Sequence, residues 1–156
     1  MVYTITPQEG DGRLVIYDIA TRRSMEVPRG NNALITEDSK FVVFAIDPLF
    51  QETRQARIKK KKSAEMPKDS LGILSLEQWE VWKTPMVKSF RTPKKGSGLV
   101  AYLMERPQGD KDSTGGTTLR IRSLQTGSED AIQHVLEYAF SKSGNRLLAE
   151  TTVSKK

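Results

Sequence analysis

Apolar and polar positions alternate through most of this chain, and three stretches of alternation match one another in register. They are Leu14-Val15-Ile16-Tyr17-Asp18-Ile19, Leu71-Gly72-Ile73-Leu74-Ser75-Leu76 and Leu119-Arg120-Ile121-Arg122-Ser123-Leu124. A period of two is the mark of a β-strand, and apolar side chains on both faces, as at Leu14 to Ile19, suit a strand packed between two sheets. Each copy continues into a polar turn and a second short strand. A further turn then precedes an apolar run: Glu37-Asp38-Ser39-Lys40 before Phe41 to Phe44, Pro93 to Gly98 before Leu99 to Ala101, and Ser141 to Asn145 before Arg146 to Leu148.

Aligning the copies predicts a four-strand unit. Strand A falls at about 33–36, 87–92 and 136–140, and strand B at about 41–46, 99–104 and 146–152. Strand C falls at about 13–19, 71–76 and 118–124, and strand D at about 24–28, 79–83 and 130–134. Asp18, Ser75 and Ser123 hold the same position in successive copies, 57 and then 48 residues apart. Four-stranded units of roughly 40–50 residues are blades of a β-propeller, each burying its faces against its neighbours. The expected fold is therefore all-β: a partial β-propeller of about three four-stranded antiparallel blade equivalents, forming one domain over 1–156. It comprises a C-D hairpin at 13–28, a blade at 33–84 with an insertion at 47–70, a blade at 87–134 with a loop at 105–117, and an A-B hairpin at 136–152. Beginning on C-D and ending on A-B, the pattern reads as cut through a larger propeller. Two chains supplying each other's missing hairpins would form a homodimer through exposed strand edges.

Helical signal is weak. Residues 51–62 have helix-forming composition, but Ala56 and Ile58 lie two apart and make no stripe, so the insertion at 47–70 reads as a basic loop or a short helix.

Charge changes this picture little. Of the net +6, the stretch from Asp47 to Ser70 supplies +3, with seven basic residues against four acidic. Lys59, Lys60, Lys61 and Lys62 are the candidate surface contact. Phosphate contacts release counterions, but the run has no interleaved aromatic side chains and is followed by Glu65 and Asp69, so no nucleic-acid partner is expected.

Candidate chemistry is sparse. There is no cysteine and one histidine, which leaves no disulfide framework and no metal or cofactor site to expect. Gly96-Ser97-Gly98 has the wrong spacing for a nucleophile elbow, and His134, near the end of a D strand, reads as structural, so no catalytic residue is assigned. Glu37-Asp38 and Glu129-Asp130 read as turn chemistry, and Trp79 and Trp82 as packing residues. No run is long enough to span a bilayer as a helix, and Met1 to Pro7 lacks the regions of a signal peptide.

Two stretches carry a resemblance. Phe44 to Gln51 leading into Arg54 to Lys62 and Glu65 to Leu71, with the turns Thr36 to Lys40 and Ser141 to Arg146, resembles the propeller region of prolyl oligopeptidase and dipeptidyl peptidase IV type serine peptidases of Bacteroides-like bacteria. The resemblance implies a non-catalytic segment that gates access to, and scaffolds, an α/β-hydrolase catalytic domain acting on peptides, in a periplasmic or secreted parent. No glutamate pair of the dipeptidyl branch is matched. The rival expectations are a free-standing propeller-like interaction module, a basic nucleic-acid-binding domain, and a complete small β-sandwich.

Overall fold

A computed structural model describes residues 1–96, 98–111 and 115–152. Twelve strands and one α-helix lie among them: β1 (Val2–Ile5), β2 (Arg13–Tyr17), β3 (Ser24–Pro28), β4 (Gly30–Ile35), β5 (Phe41–Ile46), α1 (Phe50–Ile58), β6 (Ser70–Ser75), β7 (Glu80–Thr84), β8 (Val87–Arg91), β9 (Leu99–Met104), β10 (Thr117–Ser123), β11 (Glu129–Phe140) and β12 (Leu147–Thr151). They form three sheets in the orders β1-β2-β3, β4-β5-β6-β7 and β12-β11-β10-β9-β8. The nearly all-β architecture stands as the alternation predicts; one sheet, β4-β5-β6-β7, has the four strands of the expected unit, while the strands expected at 87–134 and 136–152 share a single five-stranded sheet.

Backbone contacts divide the chain into two compact units. One is Met1–Leu34 with Val42–Pro85; the other is Ile35–Phe41 with the described residues from Met86 onward. In the first unit two sheets share a core, because Leu14, Ile16 and Val27 of the first sheet cluster with Val42, Phe44, Ile46 and Leu74 of the second. Each fully buried side chain of this kind is worth about 1.5–3 kcal/mol. The second unit has its own core of Ala101, Leu103, Leu119, Val135 and Tyr138. Here Ser89 Oγ and Tyr138 Oη lie 3.0 Å apart in a hydrogen bond, and the Arg91 guanidinium sits 5.4 Å from the centre of the Tyr138 ring.

Two features depart from the strand pattern. β1 is an additional strand, pairing antiparallel with β2 from Val2↔Ile16 to Ile5↔Arg13. The expected break between strands at 130–134 and 136–140 is a bulge inside the continuous β11, with His134 at φ 58° and the pairing to β12 shifting between Val135 and Glu137. One residue out of register lets the first half of β11 pair with β10 and the second with β12.

The C-D turns are the same structure three times. Asp18 Oδ1 accepts the Thr21 N–H, Ser75 Oγ the Gln78 N–H and Ser123 Oγ the Thr126 N–H, at 3.3–3.4 Å. The residue after each donor is left-handed: Arg22 at φ 56°, Trp79 at 59° and Gly127 at 74°. Only the third repeat places glycine where a side chain is strained. Arg22→Gly is therefore expected to stabilise the chain by about 1 kcal/mol, read as a raised urea midpoint at unchanged slope. An unchanged or lowered midpoint would show that the left-handed arginine carries no strain.

The A-B turns repeat too, and within the second unit they interlock. Thr36 and Ser141 each close their turn by donating from the backbone N–H to the residue five ahead, at 3.0 and 2.9 Å, with Ser39 and Gly144 left-handed. The Gly96 N–H donates to the Glu37 carboxylate, and Gly144 lies so close to Lys95 that a Cβ there would sit 1.9 Å from the Lys95 carbonyl oxygen. Ser97, between Gly96 and Gly98, lies outside the described residues.

Candidate functional site, a cleft beside helix α1

The insertion at 47–70 contains α1 and a 3₁₀ turn at Ser63–Glu65. Of the two forms the composition leaves open, it takes the short helix. Asp11, in the β1–β2 link, starts that helix: its Oδ1 accepts the Phe50 N–H at 2.8 Å, where a first-turn donor has no partner within the helix. The helix ends in a Schellman closure, with Lys60 N–H donating to Arg57 O at 2.9 Å and Lys61 N–H to Ala56 O at 3.0 Å. Lys60 takes the left-handed position at φ 52°.

The structure thus gives the candidate residues Lys59 to Lys62 a local task. All four are exposed, and they bring positive charge to the negative end of α1, where cations are favoured. None of the four is among the residues that line the cleft beside α1.

A concave site lies beside them. An open cleft of about 500 Å³ is lined by Gly10, Asp11 and Gly12 from the β1–β2 link, Arg29 between β3 and β4, and residues of the insertion from Asp47 to Asp69. It belongs wholly to the first unit. The helix contributes Phe50, Thr53, Arg54 and Arg57, spaced i, i+3, i+4, i+7, which places all four on one face. The stripe exists, but it is guanidinium, hydroxyl and one aromatic ring rather than apolar. A search for apolar periodicity passes over it.

Arg29 ties the cleft together. Its backbone N–H donates to Gly12 O at 2.7 Å and its carbonyl accepts the Asp47 N–H at 2.9 Å, while its Nη1 donates to Asp47 O at 2.9 Å. Holding these bonds requires φ 63°, a conformation a non-glycine residue adopts at some strain. Two loops 35 residues apart are thereby pinned to one arginine.

The second unit carries the other polar cluster. Tyr102 on β9 donates to Glu129 Oε1 at 2.5 Å, and Arg120 and Arg122 on β10 reach Glu129 at 3.1 and 3.2 Å. Cross-strand pairing sets this up, with Arg120 opposite Tyr102 and Arg122 opposite Glu129. Burial pushes the Tyr102 hydroxyl well above the ordinary tyrosine range, and its bond to Glu129 adds to the effect. Burial works against ionisation of Glu129, but the donors Tyr102, Arg120 and Arg122 outweigh it and lower its pKa. Arg122 Nη1 also donates to Gly127 O at 2.9 Å, and Glu129 is a strand residue rather than turn chemistry. His134 is exposed at the β11 bulge, and among the described residues no group of His, Cys, Asp and Glu has the arrangement of a metal site.

Comparison with protein-family models gives no match, and comparison with curated proteins gives none. Among solved structures the chain is similar to the β-propeller domain of the trilobed protease from Pyrococcus furiosus, with a TM-score of 0.56 and 12% identity over 95% of this chain and 43% of that one. It is also similar to Pyrococcus horikoshii acylaminoacyl peptidase, with a TM-score of 0.51 and 9% identity over 89% of this chain and 23% of that one. The chain spans less than half the length of either. Likeness at these identities is likeness of fold, and with the three sheets it makes the chain a partial β-propeller.

Proposed function

We propose that this chain is the non-catalytic propeller segment of a serine peptidase of the prolyl oligopeptidase type, gating access to an α/β-hydrolase partner domain that acts on peptides. The observation that carries the reading is the propeller likeness to chains named as a protease and a peptidase, each of which it spans only in part. The sequence resemblance across Phe44 to Leu71 supports a dipeptidyl or prolyl type and a periplasmic or secreted parent. Propellers are stacks of small sheets that leave loops at their rims, so a segment of one can carry recognition while the chemistry sits elsewhere.

On this reading the purified chain does not hydrolyse a chromogenic proline-containing dipeptide. Measurable hydrolysis that disappears in Ser97→Ala or His134→Ala would overturn it.

A further inference from the structure

We infer that the cleft beside α1, which Arg29 also lines, binds a ligand through a single carboxylate held by Arg54 and Arg57. This goes beyond the gating role and does not depend on it.

The geometry points to an anion first. Arg54 and Arg57 lie one turn apart on the helix face that lines the cleft, and neither has an ion-pair partner among the described residues. Guanidinium forks match the planar carboxylate two bonds at a time, and such charge-assisted bonds are about twice as strong as neutral ones. Arg29 is held in place by three hydrogen bonds to the loops on either side. Two of these bonds fix its backbone and one, from Nη1 to Asp47 O, orients the guanidinium, which lowers the entropy left to lose on binding.

The other wall limits the charge the ligand carries. Asp11, Asp47 and Asp69 line the same cleft, so the three carboxylates and three guanidiniums of the lining cancel in formal charge. A phosphate dianion would meet too little net positive charge, whereas a monoanion can take the arginine pair. Phe50 and Met66 add apolar surface beside the arginines. A volume of about 500 Å³ suits a ligand the size of a short peptide or a small organic acid.

The test is titration calorimetry on the full chain with four probes: N-acetyl-Ala-Ala-Phe as the free acid, the same peptide as its carboxamide, 3-phenylpropionate, and inorganic phosphate. The free acid is expected to bind about tenfold or more tighter than the amide, a difference of about 1.4 kcal/mol. That advantage is lost in Arg54→Gln/Arg57→Gln, is reduced in Arg57→Lys, which keeps charge without the fork, and survives replacement of Lys59 to Lys62 by serine. If 3-phenylpropionate binds as well as the peptide acid, the carboxylate belongs to a free acid; if the peptide acid is tighter, to a peptide terminus. Both support the assignment. Acid and amide binding within about twofold of each other, absence of binding by either, tighter binding of phosphate, or an unchanged Arg54→Gln/Arg57→Gln variant would overturn it. Both arginines are exposed, so matching far-ultraviolet dichroism shows that the variants fold.

Discussion

Replacing Gly72 by alanine is expected to destabilise the chain by about 2–3 kcal/mol, the upper range for overpacking a tight core, and part of that loss is expected to return when Phe44 is reduced to leucine. A Cβ at Gly72 would lie 2.3 Å from Cε2 and 2.6 Å from Cζ of Phe44, less than van der Waals contact allows. The ring is fully buried among Leu14, Ile16, Val27 and Leu74, so it cannot swing aside without displacing two sheets' worth of side chains. Gly72 and Leu74 share a face of β6, and the missing side chain at 72 is the space the ring occupies. Phe44→Ala alone leaves a cavity at the centre of the same core and is expected to cost about 3–5 kcal/mol. Urea unfolding of Gly72→Ala, Phe44→Leu and the double variant decides the matter. If the two changes add to within about 0.5 kcal/mol, they do not share a space.

Glu129→Gln is expected to remove about 2 kcal/mol at neutral pH and to flatten the acid limb of the stability profile. The wild-type carboxylate is lowered in the folded state, so its contribution is complete above the pKa of the unfolded glutamate and fades as pH falls through the folded value. Glutamine keeps the shape but gives Arg122, with 17% of its side chain exposed, no charge to answer it. Tyr102 contributes to the opposite limb, as does the buried Tyr138: the folded pKa of each is raised, so its contribution is complete below the ordinary value of 10.0 and is lost as pH rises through the folded value. Tyr102→Phe should therefore blunt the alkaline limb and leave most of the acid limb in place, because Arg120 and Arg122 still face Glu129. Thermal unfolding from pH 3 to pH 11 reads both limbs. An acid limb as steep in Glu129→Gln as in the wild type would place the titration elsewhere.

Much of the fold is legible in its apolar patterning. Residues 24–28 alternate, and residues 41–46 and 99–104 are unbroken apolar runs bounded by turns; they become β3, β5 and β9 with those bounds. β1 is harder to see, since Val2 is half-buried and Tyr3, Thr4 and Ile5 are exposed, leaving no inward face to mark the strand. The length of β11 is hidden for a different reason. Its bulge at His134 shifts the phase by one residue, and a phase shift reads like an interruption. The cleft is the least legible part: Gly12, Arg29 and Asp47 are joined, and Asp11 is tied to Phe50, by hydrogen bonds that leave no period behind. What the sequence does show is the spacing of Arg54 and Arg57, once a helix is granted.

The interlocked A-B turns bear on how such a chain can change over time. Because the Glu37 carboxylate takes its hydrogen bond from Gly96 and the Lys95 carbonyl leaves no room for a side chain at Gly144, each turn is part of the mould for the next. A propeller that grows by duplicating a blade copies a turn into a seat shaped by a different neighbour. Recombination should succeed where the exchanged piece carries two successive turns together, and substitutions at 37, 96 and 144 should travel as a set between lineages.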